Sequence, residues 1–149
     1  MNPLSLSTYS GNDISDLLRE ALLQLGLPRE MLGKFESQST LVAKLHDLPD
    51  IMISEHNDRL WIWSMLPGLS EARLFSTADQ ALAILMEPIS NIEGSFLSLS
   101  RGNTVYELRG LVNLGCLSQE TGIADLLINF KSHLERLCKI FEISGEYSA

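Results

Sequence analysis

The chain has few of the features that announce a chemistry. Its 149 residues include two cysteines, three histidines, five prolines and two tryptophans, and only 11 Lys and Arg stand against 19 Asp and Glu, for a formal net charge of -8. That acidic surplus repels phosphate, and no cluster of basic residues is longer than two, which argues against nucleic acid as a partner. The longest apolar run, Ala81 to Met86, covers six residues, far short of the about 20 that cross a bilayer. The opening MNPLSLSTYSG lacks the basic start and apolar centre of a secretory signal, so the expected location is the cytoplasm. Cys116 and Cys138 form no CxxC pair and are expected as free, buried thiols.

Catalytic and cofactor signals are equally sparse. His46, His56 and His133 show no i, i+4 spacing and no neighbouring cysteine pair, so no metal site is expected. His56 in a turn and His133 on the polar side of a helix read as solvated residues. Neither GxGxxG nor GxxxxGK[ST] occurs, and a cysteine nucleophile has no base that the sequence places beside it. Glu93 and Glu107, across a hairpin, could be invoked for acid and base work, but a solvated charged face is the simpler reading. Neither an enzyme nor a cofactor is expected.

Apolar residues are what the chain does have, 45% of it, in patterns that change along its length. At this size a single domain over 1–149 needs no staple, since a compact fold buries roughly 68–70% of the unfolded surface. Residues 1–11 read as a frayed arm and 144–149 as a flexible tail. Ile14, Leu17, Leu18, Ala21, Leu22 and Leu25 form a helical stripe, begun by Asn12 or Asp13 and stopped at Gly26-Leu27-Pro28. From Ser37 the period falls to two. Strands are expected at Ser39–Leu45, Ile51–Glu55 and Leu60–Leu66, with a tight turn at His56-Asn57-Asp58-Arg59. A second helix is expected from Ser76 to about Met86. A second hairpin follows, Ser95–Ser100 and Thr104–Val112 around Arg101-Gly102-Asn103. A last helix starts at Ser118 and continues for about 25 residues, roughly 37 Å at 1.5 Å per residue. The order is α-β-β-β-α-β-β-α, an α+β fold.

Two segments carry more apolar surface than one core needs. Strand LWIWSML directs Leu60, Ile62 and Ser64 one way and Trp61, Trp63 and Met65 the other. The second helix has Phe75, Ala78, Ala81, Leu82, Leu85 and Met86 on one face, with Ala83 and Ile84 on another. Covering both requires partners, a homodimer being the simplest, and tryptophan is enriched at binding hot spots.

In this order and texture the chain resembles the small homodimeric chaperones of bacterial type III secretion, class I multi-effector subclass, typified by InvB and SpaK. The resemblance runs from about Asp13 to Phe141 through DISDLLREALLQLGLP, LPDIMISEHNDRLWIWSML, ALAILM and FLSLSRGNTVYELRGLV. It implies a five-stranded antiparallel sheet with three helices in a homodimer. Its implied work is to hold the N-terminal chaperone-binding segments of secreted effectors extended and soluble, and to deliver them to the secretion ATPase. On that basis Leu82, Ile84, Leu85 and Met86 are expected at the dimer contact. Leu18, Leu22, Ile51, Ile53, Trp61 and Trp63 are expected at the client grooves, with Met52 and Met65 adapting to different clients. Rival readings are a small-ligand or enzymatic α+β domain, with its pocket between helix and sheet, and a dimeric adaptor that holds a folded partner.

Overall fold

From position 41 onward the period-two pattern becomes an antiparallel sheet. The structure, a computed structural model, describes residues 41–57, 59–119 and 121–144. The helix expected over Ile14–Leu25, with Leu18 and Leu22, lies outside them. Strand β1 (Leu41–Ala43) pairs with β2 (Ile51–His56), and β2 pairs with β3 (Arg59–Leu66). His56 stands opposite Arg59, and Asn57 between them takes φ 52°, the left-handed backbone that asparagine tolerates in a tight hairpin. Strands β4 (Ser98–Arg101) and β5 (Tyr106–Leu111) form the second hairpin, and β5 docks on β3. The sheet order is β1-β2-β3-β5-β4.

Several boundaries differ from the sequence pattern for local reasons. The described part of β1 ends at Ala43 rather than Leu45, ahead of a turn in which Asp47 takes φ 63°. Strand β4 starts at Ser98 instead of Ser95 because Glu93–Ser95 is a single 3-10 turn with Ser95 at φ 72°. Ser95 also accepts the Ile89 N–H at 2.7 Å. The middle helix begins earlier than expected and is broken in two, α1 (Glu71–Ser76) and α2 (Ala78–Leu85). Ser70 caps it in place of Ser76, its hydroxyl oxygen accepting the Arg73 N–H at 3.1 Å. Thr77 interrupts the axis at φ -116°, ψ 13°, its hydroxyl donating to the Arg73 carbonyl at 2.7 Å, a bond that competes with the helical ladder. The last helix, α3 (Gly122–Phe141), has 20 residues, and Leu114–Ser118 before it forms a separate 3-10 turn. Gly122 marks the joint: a Cβ there would lie 2.1 Å from the Cys116 carbonyl oxygen.

One face of the sheet makes the core. Leu60, Ile62 and Leu66 of β3 join Ile51 and Ile53 of β2, Leu108 of β5, and Leu126, Phe130, Leu134, Leu137 and Phe141 of α3 in a single apolar cluster. Each such side chain contributes about 1.5–3 kcal/mol on burial. Ser64 is the hydroxyl in that row, and it donates to the Asp50 carbonyl at 2.8 Å. Gly110 faces Ile62 across the β3–β5 pair, where a Cβ would come within 2.7 Å of Ile92 Cδ1 and Leu97 Cδ2. Helices α1 and α2 lie alongside α3 in the opposite chain direction. Arg73 meets Glu142 at 2.9 Å, Glu87 meets Arg136, and the Asn91 side-chain amide donates to the Gly122 carbonyl at 3.1 Å. The hydrogen bond from Arg136 holds the Glu87 carboxyl below the ordinary carboxylate range.

His133 departs from its expected solvated place. It is buried on α3, one ring nitrogen 3.2 Å from the Asn129 carbonyl and the other 3.3 Å from that of Glu87. Cys116 and Cys138 are buried free thiols, and burial pushes each from 9.0 up to about 12.

Phe130→Ala should cost about 3–5 kcal/mol in guanidinium unfolding, because it opens a cavity at a fully buried site. Ile128→Ala, at an exposed position of the same helix, should stay within about 0.5 kcal/mol. Neither thiol should react with Ellman's reagent at pH 8 until the protein is unfolded. The folded thiols titrate higher than the unfolded ones, so their contribution to stability is complete below pH 9.0 and declines as pH rises toward about 12. A stability profile over that range measures the decline.

Candidate functional site: the tryptophan face of the sheet

A strand's side chains alternate, so the core row of β3 leaves Trp61, Trp63 and Met65 on the opposite face. Register adds their neighbours. Ser54, Trp61 and Leu111 form one cross-strand row; Met52, Trp63, Arg109 and Ser98 form the next; Met65, Glu107 and Ser100 form the third. Both tryptophans are half-buried and Met65 is 44% exposed. None of the three belongs to the core cluster. Phe96, exposed and two residues before Ser98, extends the apolar ground at the β4 edge.

The tryptophans are held in place from the sheet itself. Trp63 Nε1–H donates to Ser54 Oγ at 2.9 Å, diagonally across the β2–β3 pairing, since Ser54 stands opposite Trp61 and Trp63 opposite Met52. The Arg109 guanidinium lies 4.7 Å from the centre of the Trp61 ring, close enough for a cation–π attraction. A recess of about 370 Å³ runs between Ser54, Glu55 and His56 on one side and Glu107 and Arg109 on the other, with both tryptophans along it.

A second recess, of about 330 Å³, lies between Gly68-Leu69 and the β4–β5 turn. Its Arg101 is engaged by Glu71 at 3.7 Å and by the Tyr106 ring at 5.7 Å. Neither recess is between helix and sheet, where a small-ligand domain would place its pocket. Ile62, Leu66, Leu108, Phe130 and Leu134 fill that space. Glu93 and Glu107 do not come together. The bridge next to Glu93 joins Ile92 to Val112, about 16 Å along β5 from Glu107 at 3.3 Å per residue. Among the described residues, no three His, Cys, Asp or Glu groups could hold a metal ion, and no helix is long and apolar enough to cross a membrane.

The expected site residues divide between the faces. Trp61 and Trp63 share one surface. Ile51 and Ile53, expected beside them, are each 2% exposed and point into the core, because Ile53 stands opposite Ile62. Met52 and Ser54 occupy their place on the tryptophan side. Arg109 and Leu111 were not foreseen as members of the site; only the β3–β5 register reveals them.

The middle helices also sort differently from their helical stripe. Ile84, expected at a dimer contact, is 5% exposed and belongs to the core with Ala81, and Leu85 packs at its margin. Phe75, Leu82 and Met86 are 63%, 56% and 71% exposed, an apolar strip on the outside.

Comparison with known proteins places this geometry in a family. The sequence profile of the invasion protein B family matches residues 26–103, a span that holds every described element from β1 to β4. The surface presentation of antigens protein SpaK of Salmonella typhimurium is 34% identical over 123 residues, 83% of this chain and 91% of the relative. The SpaK protein of Salmonella typhi matches with the same identity and coverage. A profile covering half the chain and a relative matched along nearly its whole length agree: this chain belongs to the invasion protein B family.

Proposed function

We propose that the protein is a cytoplasmic type III secretion chaperone, a single-domain homodimer that binds the N-terminal chaperone-binding segments of secreted effectors in extended form. It works without metal or cofactor and hands the bound effector to the secretion ATPase. The observation that carries this reading is the tryptophan face: the central strand of the sheet presents Trp61, Trp63 and Met65 on the side away from α3. An extended segment laid there places alternate side chains against the aromatic rings, and a strand added at a free sheet edge gains main-chain hydrogen bonds indifferent to client sequence. Met65 can repack around different side chains. Membership in the invasion protein B family supports the same reading.

The dimer contact is proposed on Phe75, Leu82 and Met86, with Leu85 at its border; Ile84 serves the core instead. Three large, exposed apolar side chains on the middle helical segment suit an isologous contact between identical chains. The paired particle doubles the formal charge of -8 to -16, which keeps apolar surfaces from associating at random.

Trp61→Ala with Trp63→Ala should weaken capture of an effector N-terminal segment about a hundredfold or more, since buried aromatic anchors at interfaces typically contribute at least about 2 kcal/mol each. Co-purification with the co-expressed segment is the measurement, and unchanged capture by a variant with wild-type circular dichroism would remove the groove. Sedimentation equilibrium should show a dimer at micromolar concentration. Leu82→Ser with Met86→Ser should shift it to monomer while leaving thermal stability nearly unchanged. A wild-type monomer under those conditions would remove the dimer contact.

A further inference from the structure

Among the described residues, the Arg109 guanidinium faces no carboxylate. Among the same residues, Arg73, Arg101 and Arg136 each face a carboxylate, from Glu142, Glu71 and Glu87, while Arg59 at the β2–β3 turn, like Arg109, has no ion pair; what sets Arg109 apart from Arg59 is its place over an aromatic ring. The Arg109 guanidinium takes part in no hydrogen bond and no ion pair there, and it lies 4.7 Å over the Trp61 ring. Glu107, two residues along the same strand and on the same face, directs its carboxylate toward the β4–β5 turn, where a Cβ on Gly102 would lie 3.1 Å from its Oε1. The Arg109 side chain is half-buried at the edge of the 370 Å³ recess. Its five N–H donors form a planar fork that matches a carboxylate bidentately. In a chain of net charge -8, a guanidinium unpaired among the described residues, beside the aromatic floor of a groove, is complementary to an acidic side chain brought by another molecule.

We propose that the tryptophan face reads an acidic residue in the bound segment, its side-chain carboxylate seated on Arg109. This rests on the extended-segment reading above and specifies what such a segment must carry. Side chains two apart in an extended peptide point the same way, about 7 Å from each other, which is also the spacing from Leu111 to Arg109 to Glu107 along β5. A segment aligned with β5 and centred on Arg109 therefore sets one neighbour at i±2 over Leu111 and Trp61, where it must be apolar. The other neighbour lies over Glu107 and Met65, where a basic residue is favoured. The bound pattern is apolar-x-acidic-x-basic, in either chain direction.

The probe is a library of random twelve-residue peptides displayed internally in a carrier, so that no peptide offers a free terminal carboxylate, selected on the full-length protein. Selected peptides should share an Asp or Glu two residues from an apolar residue. Arg109→Gln should keep the apolar preference and lose the acidic one, and Arg109→Glu should exchange Asp and Glu for Lys and Arg. For a selected peptide and its Glu-to-Gln counterpart, titration followed by the emission of Trp61 and Trp63, the only tryptophans in the chain, should give at least about a tenfold difference in Kd. That difference should shrink with salt and vanish in Arg109→Gln. Arg109→Lys, which keeps the charge without the fork, should retain part of it, and it serves as the test should Arg109→Gln lower the melting temperature. Peptides selected for apolar residues alone, or an acidic preference that survives Arg109→Gln, would overturn the Arg109 assignment and leave the extended-segment reading standing. Selection of no peptide at all would overturn both.

Discussion

Strand β3 is hydrogen-bonded along both edges, to β2 and to β5, and a strand so placed has to show one row of side chains to each face of the sheet. The row Leu60, Ile62, Ser64, Leu66 is covered by α3, and every apolar member of it lies in the core cluster. The row Trp61, Trp63, Met65 faces away from that helix. Because the two rows belong to one strand in one register, the core and the candidate binding surface are not independent. A slip of one residue in the β2–β3 pairing would bring the tryptophans toward α3 and put Ile62 on the face away from it. The two-residue turn with Asn57 at φ 52° fixes that register, and with it the location of the site.

The same economy governs the middle of the chain. Helices α1 and α2 give only part of their apolar surface to the core, through Ala81 and Ile84, while Phe75, Leu82 and Met86 stay outside. The break at Thr77 and the cap at Ser70 set where this segment starts and bends. The ion pairs of Arg73 with Glu142 and Glu87 with Arg136 align it against α3. These pairs are at the surface and each is worth little in stability; their effect is on direction, since they tie both ends of the helical segment to a single neighbour.

Chemistry on the tryptophan face comes from neighbours rather than from any one motif. Trp63 is steadied by Ser54, and Trp61 lies beneath Arg109. An aromatic floor with a cation unpaired among the described residues offers both apolar contact and a directional charge.

Much of this could be read from the residues. The alternation in LWIWSML determined that Trp61 and Trp63 share a face, because the strand repeat is two; the Asn-Asp turn determined the hairpin; and the spacing of Ile123, Phe130 and Phe141 determined the long amphipathic helix. The texture from about Asp13 to Phe141 pointed to the family that the comparisons then showed. Other features were decided only by tertiary structure. Ile51 and Ile53 face the core while Met52 and Ser54 join the tryptophans, because which row is inside depends on where α3 docks, and β2 is apolar on both sides at Ile51, Met52 and Ile53. Ile84 lies inward and Leu82 outward because contact with α3 selects one arc of a helix that is apolar nearly all round. Arg109 reaches Trp61 although 48 positions separate them in the chain. Period and turn chemistry act over a few residues and are written locally; the pairing of β3 with β5 and the docking of α3 join distant segments, and only the folded chain sets them.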